Sequence, residues 1–369
     1  MSPWDGVGNP IRFKEWYSSF GPVFQNISTG VCNETLAAYL ADYKSLTTKT
    51  CDFHVDCVLG EVSESIKAKN ASAAIFLGIL PSMLAMLGPS MTQLALLSTR
   101  RPLLSLLIAL GSVGFYLDRL FRLETPTEIL SMVQGERLIP RLRSSRWGFV
   151  VSVLEYLVVA TAVLNVLNMA VRVGDRTIMS FRCNMWSLPL IWVTSLAGIF
   201  FLVAIPFQFS AVAKHMRNCT GDGTRSSVDA GPEGLGDTQW TPLPPRPEWT
   251  RREQHPGAPN GALERRSTAD SVSQFVAREF TPGMRHPSLR VHEIPQFEPW
   301  VAVLFNVGFF FAAFHIIIGT CWLSSTLFLS PGDAIRIVLR FFGSAVVCRF
   351  VVMVELASMK SQEMPQGEK

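Results

Sequence analysis

PWVAVLFNVGFFFAAFHIIIGTCWLSSTLFLSPG, from Pro299 to Gly332, is 34 residues without one Asp, Glu, Lys or Arg. A helix crossing about 30 Å of hydrocarbon needs about 20 mostly apolar residues, and a single β-strand or soluble core helix needs far fewer. The run is therefore a membrane span with its connection to the next. Similar runs lie to either side. Ala71 to Ser98 and Cys183 to Ala213 carry no charge, Trp147 to Val171 carries only Glu155, and Ala334 to Val354 carries Arg336, Arg340 and Arg349. Backbone groups in lipid must be paired within the segment, so these runs are helices. The expected fold is an all-α polytopic membrane bundle with five spans, near 71–97, 147–171, 186–208, 300–322 and 334–357. Pro102 to Leu117 is apolar for only 16 residues, and reads as a short sixth span or a re-entrant or interfacial helix. Pro81 and the pair Gly88-Pro89 predict a bend in the first span, with a broken helix lining a binding site as the other reading.

Composition agrees. The 369 residues are 48% hydrophobic and 17% charged, with mean hydropathy +0.26, where soluble domains run near a quarter charged. The net charge of +4, from 33 basic and 29 acidic residues, is too balanced for a nucleic-acid binder.

Lys and Arg concentrate in cytoplasmic loops. Residues 99–146 hold eight and 209–298 hold eleven, against three in 172–185 and none in 323–333. With five spans this places 99–146, 209–298 and the 358–369 tail in the cytoplasm, and the 1–70 segment outside. Three sequons at Asn26, Asn33 and Asn70 support that side, with a silent one expected at Asn218. So does the cysteine count. Cys32, Cys51 and Cys57 share the N-terminal segment, and Cys183 joins them at the edge of the 172–185 loop. The even number predicts two disulfides in an oxidising compartment, with the pairing open among three possibilities.

Residues 1–70 read as a small cysteine-tied cap over the bundle. Leu36, Tyr39, Leu40, Tyr43 and Leu46 recur at helical spacing there. Residues 214–298 hold 10 Pro, 8 Gly, 11 basic and 11 acidic residues, a composition expected to stay disordered. Two islands stand out. Pro242-Leu-Pro-Pro-Arg-Pro247 favours an extended polyproline conformation. Arg265-Arg266 before Ser267 and Thr268 suits a basophilic kinase or an anionic membrane surface. Cytoplasmic protein partners are expected through this loop.

No phosphate loop, nucleophile elbow, zinc-protease motif or catalytic carboxylate pair is present. No catalytic residue, cofactor or metal site is expected. His54, three residues from both Cys51 and Cys57, reads better as part of a disulfide-tied loop than as a metal ligand. What remains is the polar content of the spans, chiefly Glu155, Asn165, Arg340 and Arg349. Charges in a bilayer are expensive and mark a functional site or a structural pair. Counted from the helix ends, Glu155 and Arg349 lie at matching depth, as do Asn165 and Arg340. The expectation is that Glu155 and Arg349 pair, or that one of them reaches the cytoplasmic interface, with an Asn165–Arg340 contact one layer out.

Cys51-Asp-Phe-His-Val-Asp-Cys57, continuing through Ser63-Glu-Ser-Ile-Lys-Ala-Lys-Asn70, resembles a family of uncharacterised multi-pass membrane proteins from filamentous fungi. So do Leu97-Ser-Thr-Arg-Arg-Pro-Leu-Leu104 and Asp175-Arg-Thr-Ile-Met-Ser-Phe-Arg-Cys183-Asn184. The resemblance covers most of the chain outside 214–298; Val113 to Phe121 lacks a proline that follows the short apolar run in that family. It implies a fungal origin and a location in the plasma membrane or an endomembrane, and brings no activity. The function read from the sequence is a non-enzymatic interaction, scaffold or sensor protein. The alternative is a small-solute or ion transporter, which would line a watery cavity with Glu155 and Arg349.

Overall fold

The computed structural model describes residues 12–42, 49–117, 145–181, 183, 185–221, 279 and 299–363. It is helical throughout, apart from one two-stranded ribbon. Three short helices, α1 (Gly21–Thr29), α2 (Asn33–Asp42) and α3 (Lys49–Glu61), form the N-terminal cap. The bundle follows: α4 (Glu64–Leu87), α5 (Met91–Ser98), α6 (Pro102–Ser112), α7 (Ser145–Arg176), α8 (Leu188–Gly221), α9 (Pro299–Ser324) and α10 (Pro331–Glu363). Strand β1 (Ile178–Met179) after α7 pairs antiparallel with β2 (Thr326–Leu327) after α9. The ribbon ties the two loops at the cap end together.

Five helices are long and apolar enough to cross a membrane: Glu64–Leu87, Gly148–Arg176, Leu188–Gln208, Trp300–Ser324 and Pro331–Ser358. Their inward faces carry small and branched residues such as Ala73, Val159, Leu196 and Ala345. Their outward faces expose Ile79, Leu157, Phe310, Ile317 and Leu339. So much exposed apolar surface has no place in water and is what lipid requires. The chain is a multi-pass membrane protein in a lipid bilayer.

The structure differs from the expected 71–97 span. The helix is broken at Gly88-Pro89, and the bend expected there is a true interruption. Proline lacks an N–H and drives its predecessor toward extended backbone, and Gly88 adopts φ −60°, ψ 162°. Ser90 then restarts the helix. Its side chain accepts from Gln93 N–H while Gln93 Oε1 accepts from Ser90 N–H, a reciprocal cap that satisfies two orphan donors.

Depth follows from packing. Gly78 backs directly onto Ser324 at the end of α9. Ten residues lead from Gly78 to Gly88, about 15 Å of helix, whereas α9 with its 26 residues is about 39 Å long. The break therefore lies near mid-depth. Helix α5 completes the crossing, and α6 turns back. With 11 residues, α6 is about 17 Å long, half a span, so 102–117 does not cross. It ends where the break is: Tyr116 N–H donates to Pro89 O (3.0 Å), and a side chain at Gly88 would strike Gly114 O. Among the described residues the bundle has five candidate crossings, the first continued past its break by α5, with the half-length helix α6 packed beside that break.

Helix α8 continues to Gly221, past the expected start of the loop at 209. The Pro242–Pro247 and Arg265–Thr268 islands lie outside the described residues.

Candidate functional site

The turn between α5 and α6 builds the most polar part of the interior. Arg100 and Arg101 N–H groups both donate to Leu97 O, which closes α5. Pro102 is the first residue of α6 and keeps Arg101 out of helical backbone, at φ −132°, ψ 75°. The Arg101 side chain is thereby aimed between α7 and α10. It is fully buried, an unusual position for Arg without partners. Nη1 donates to Glu155 Oε2 (2.6 Å) and to Glu355 Oε1 (2.7 Å), and Nη2 donates to Ser152 Oγ (2.6 Å). Ser152 and Glu155 are three residues apart and so share one face of α7; Glu355 comes from α10. The guanidinium lies over the Tyr156 ring, 5.3 Å from its centroid, within cation–π range. The Tyr156 hydroxyl donates to Glu279 Oε2, and Glu279 Oε1 accepts from Leu103 N–H (2.8 Å). A carboxylate thus caps the N-terminus of α6, where the helix dipole favours it.

This arrangement corrects the expected Glu155–Arg349 pair. Glu155 is held by Arg101. Arg349 Nη1 instead donates to Gly88 O (3.1 Å) and Gln93 Oε1 (2.8 Å), so it braces the broken helix at mid-depth. The sequence placed Glu155 and Arg349 at one depth. It did not show that a re-entrant hairpin would bring a different arginine to the carboxylate. Asn165 and Arg340 do meet, through Asn165 Nδ2 donating to the backbone Arg340 O (3.1 Å) and to Ser344 Oγ (2.9 Å). The Arg340 guanidinium itself reaches Met169 Sδ (3.8 Å).

A third polar group joins α8 to α9. Trp192 stacks flat on His315, 5.0 Å between centroids. Its Nε1 donates to His315 O (3.1 Å), and Ser195 Oγ lies 3.0 Å from His315 Nδ1.

At the cap end, Cys32 is bonded to Cys57 and Cys51 to Cys183. The four cysteines singled out by the sequence form two disulfides, one within the cap and one joining it to the bundle. His54 is buried, with Nε2 2.9 Å from Ser28 Oγ and Nδ1 2.8 Å from Thr35 Oγ1. Burial holds its pKa down to about 4. Arg12 seats the cap on α7, donating to Gly174 O (2.6 Å) and Thr177 O (2.7 Å). These are carbonyls left over at a helix C-terminus. Burial lowers the Arg12 pKa to about 10, which leaves it charged at neutral pH. Asn26 and Asn33 are exposed, whereas Asn70 Oδ1 accepts from Leu329 N–H (2.9 Å). Among the described residues no group of His, Cys, Asp or Glu could hold a metal ion.

No protein-family model, curated protein or solved structure matches this chain.

Arg101, Ser152, Tyr156 and Glu279 are the cluster residues that sequence reasoning missed, Glu279 lying buried within the stretch expected to be disordered; Arg101 is the central one. It was counted among the basic residues of a cytoplasmic loop. The signal that could have found it is Arg-Pro between two uncharged apolar stretches. That pattern places a fixed turn, and a charge on it, against the ends of the neighbouring spans.

Proposed function

We propose that the chain is a non-enzymatic interaction or sensor protein of the plasma membrane or an endomembrane. Its cap and the 172–185 loop face the outside or lumen; 99–146, the loop after α8 and the C-terminal tail face the cytoplasm. The loop charge bias and the two disulfides at the cap end, which need an oxidising compartment, support that orientation. The observation that carries the functional reading is that the spans' charged groups, among the described residues, are engaged with protein partners. Arg101 binds Glu155 and Glu355, and Arg349 binds Gly88 O and Gln93 Oε1. A cavity among Met91, Leu94, Phe115, Phe200 and Val203 has a volume of about 10 Å³, at the lower limit for one water. A solute pathway would be wider and wetted. The resemblance to uncharacterised fungal membrane proteins adds a membrane location and no activity.

One observation favours transport as the second reading. A helix broken at mid-depth beside a re-entrant half-helix is the way many transporters build a binding site. Reconstitution into vesicles discriminates the two. The interaction reading expects no solute or proton flux above empty vesicles, and cross-links to cytoplasmic protein that vanish when residues 222–278 are deleted from a chain that still folds. Saturable flux lost in Arg349→Gln would overturn it.

A further inference from the structure

We propose that the cap end of the seam between α7 and α10 binds the phosphate of an anionic phospholipid, held between Arg172 and Arg340. The two helices pack against each other and run antiparallel. Asn165 on α7 meets Arg340 and Ser344 on α10, and farther from the cap Glu155 and Glu355 meet at Arg101. Asn165, Asn168, Met169, Arg172 and Arg176 fall within an arc of about 100° around α7. Arg336, Arg340 and Ser344 follow one another at the spacing of one face of α10. The seam is thus bordered by arginines from both sides. Two of them converge. Helical side chains lean toward the N-terminus of their own helix, which is away from the cap on α7 and toward it on α10. Arg172 accordingly reaches back one turn, Nε donating to Asn168 Oδ1 (3.2 Å), and Arg340 Nη1 reaches Met169 Sδ (3.8 Å). The two guanidiniums stand at neighbouring positions of α7.

Among the described residues no Asp or Glu lies within ion-pair distance of Arg172 or Arg340. Two acids at this end are committed elsewhere. Glu15 pairs with Arg176 (2.8 Å), and Asp333 binds Ser330 Oγ and lies 3.4 Å from Arg336. Arg172 and Arg340 are both exposed on the outside of the bundle, where the surroundings are lipid. Depth selects the ligand. The span Pro331–Ser358 has 28 residues and is about 42 Å long against about 30 Å of hydrocarbon, so each end stands about 6 Å into the headgroup layer. Arg340 lies about 14 Å below Pro331, the start of α10, and Arg172 about 6 Å below Arg176, the end of α7. Arg340 therefore leaves its helix inside hydrocarbon, and its head rises toward the level of the lipid phosphates. An unpaired charge at that depth is costly, and a phosphodiester offers fixed negative charge that matches the guanidinium fork. Arg176 and Arg336 stand one turn nearer the water, beside the rest of the headgroup. A choline cation would meet their guanidiniums there, so the seam favours a headgroup without a cation. The site stands whichever compartment the cap faces, and whether or not the protein moves a solute.

Native mass spectrometry of the full chain released from detergent micelles tests this. Titrated with dioleoylphosphatidylglycerol, the wild type should show a saturable lipid adduct, about tenfold or more tighter than with dioleoylphosphatidylcholine. The double variant Arg172→Gln, Arg340→Gln should bind phosphatidylglycerol about tenfold or more weakly, the worth of a charge-assisted hydrogen bond. Lys69→Gln, which removes an exposed charge elsewhere at the cap end, should bind it as the wild type does. Equal binding of the two lipids, or a double variant with wild-type affinity, overturns the proposal. Displacement of the lipid by inorganic phosphate at low millimolar concentration overturns it too, because the site would then serve a free anion. Should the double variant fail to fold, Arg340→Lys decides. It keeps the charge and loses the fork, so phosphatidylglycerol should bind several-fold more weakly; unchanged affinity overturns the assignment.

Discussion

Replacing Arg101 by Gln leaves the Glu155 and Glu355 carboxyls buried without their cation. Breaking a buried pair from one side costs about 3–5 kcal/mol, so the variant should unfold at clearly lower denaturant in detergent micelles. Arg101→Lys keeps the charge but not the fork that reaches Ser152 together with both carboxyls, and should fall between. Equal stability of all three proteins would show that the cluster contributes nothing. A second prediction concerns His54 in the cap. Its folded pKa, about 4, lies below the ordinary 6.5, so the unfolded cap binds the extra proton between these values. Cap stability is complete above about pH 6.5 and declines toward pH 4, by up to about 1.4 kcal/mol per pH unit. The opening free energy of α3 amides, from exchange rates divided by the intrinsic rate at each pH, should fall over that window in the wild type and not in His54→Asn. At this scale the sequence was half legible. Glu155 is conspicuous as the lone charge in its run. Arg101 is not, because what makes it special is the direction of a turn, and charge counting is blind to direction.

The discontinuous crossing shows the same division among elements. Gly88-Pro89 and the Ser90-x-x-Gln93 pattern are visible in the sequence, and together they spell a stop and a restart. The uncharged run continues through them, however, and hydropathy averages over a window wider than the break. Nor does hydropathy reveal that α6 returns to the break and offers Pro89 O its donor from Tyr116; that is a long-range pairing. Between α8 and α9 the close element is Gly319, where any side chain would run into the Trp192 ring. Gly319→Ala should push Trp192 off His315 and break its hydrogen bond to the His315 carbonyl. Overpacking of this kind costs about 1–3 kcal/mol. A thermal melt followed by tryptophan fluorescence should show the loss together with a spectral shift; a shift without lowered stability would mean the ring has room to move.

The whole molecule is a cap seated on a bundle. The cap meets the bundle through Arg12 and Glu15 on the end of α7, Trp16 and Phe24 packed on Phe328, and the Cys51–Cys183 bond. Cysteine counting found the four participants and could not choose among three pairings, because the choice depends on which helices pack together. The bonds close loops with sequence separations of 25 and 132 residues, for which the chain-entropy account gives about 3–5 kcal/mol each. Cys183→Ser should therefore leave a folded bundle with a protease-accessible cap, whereas Cys57→Ser should unravel the cap itself. The proposed orientation makes a further prediction. Asn26 and Asn33 should carry glycan and Asn218 should not. Mass sensitive to glycosidase at Asn218, or none at the first two in a host that modifies control sequons, would reverse the sidedness.

The reach of the Cys51–Cys183 bond also sets a schedule for biosynthesis. A chain emerging at about 5–20 residues per second exposes Cys51 well before its partner, which lies 132 residues further on. Cys51 waits roughly 7–26 s at that pace, beside Cys32 and Cys57. The nearer bond, Cys32–Cys57, has to close within that interval and leave Cys51 alone, or Cys51 is captured by the wrong neighbour. The cap is thus made well before it can be fastened, and its attachment requires that α4 and α7 have already been made behind it.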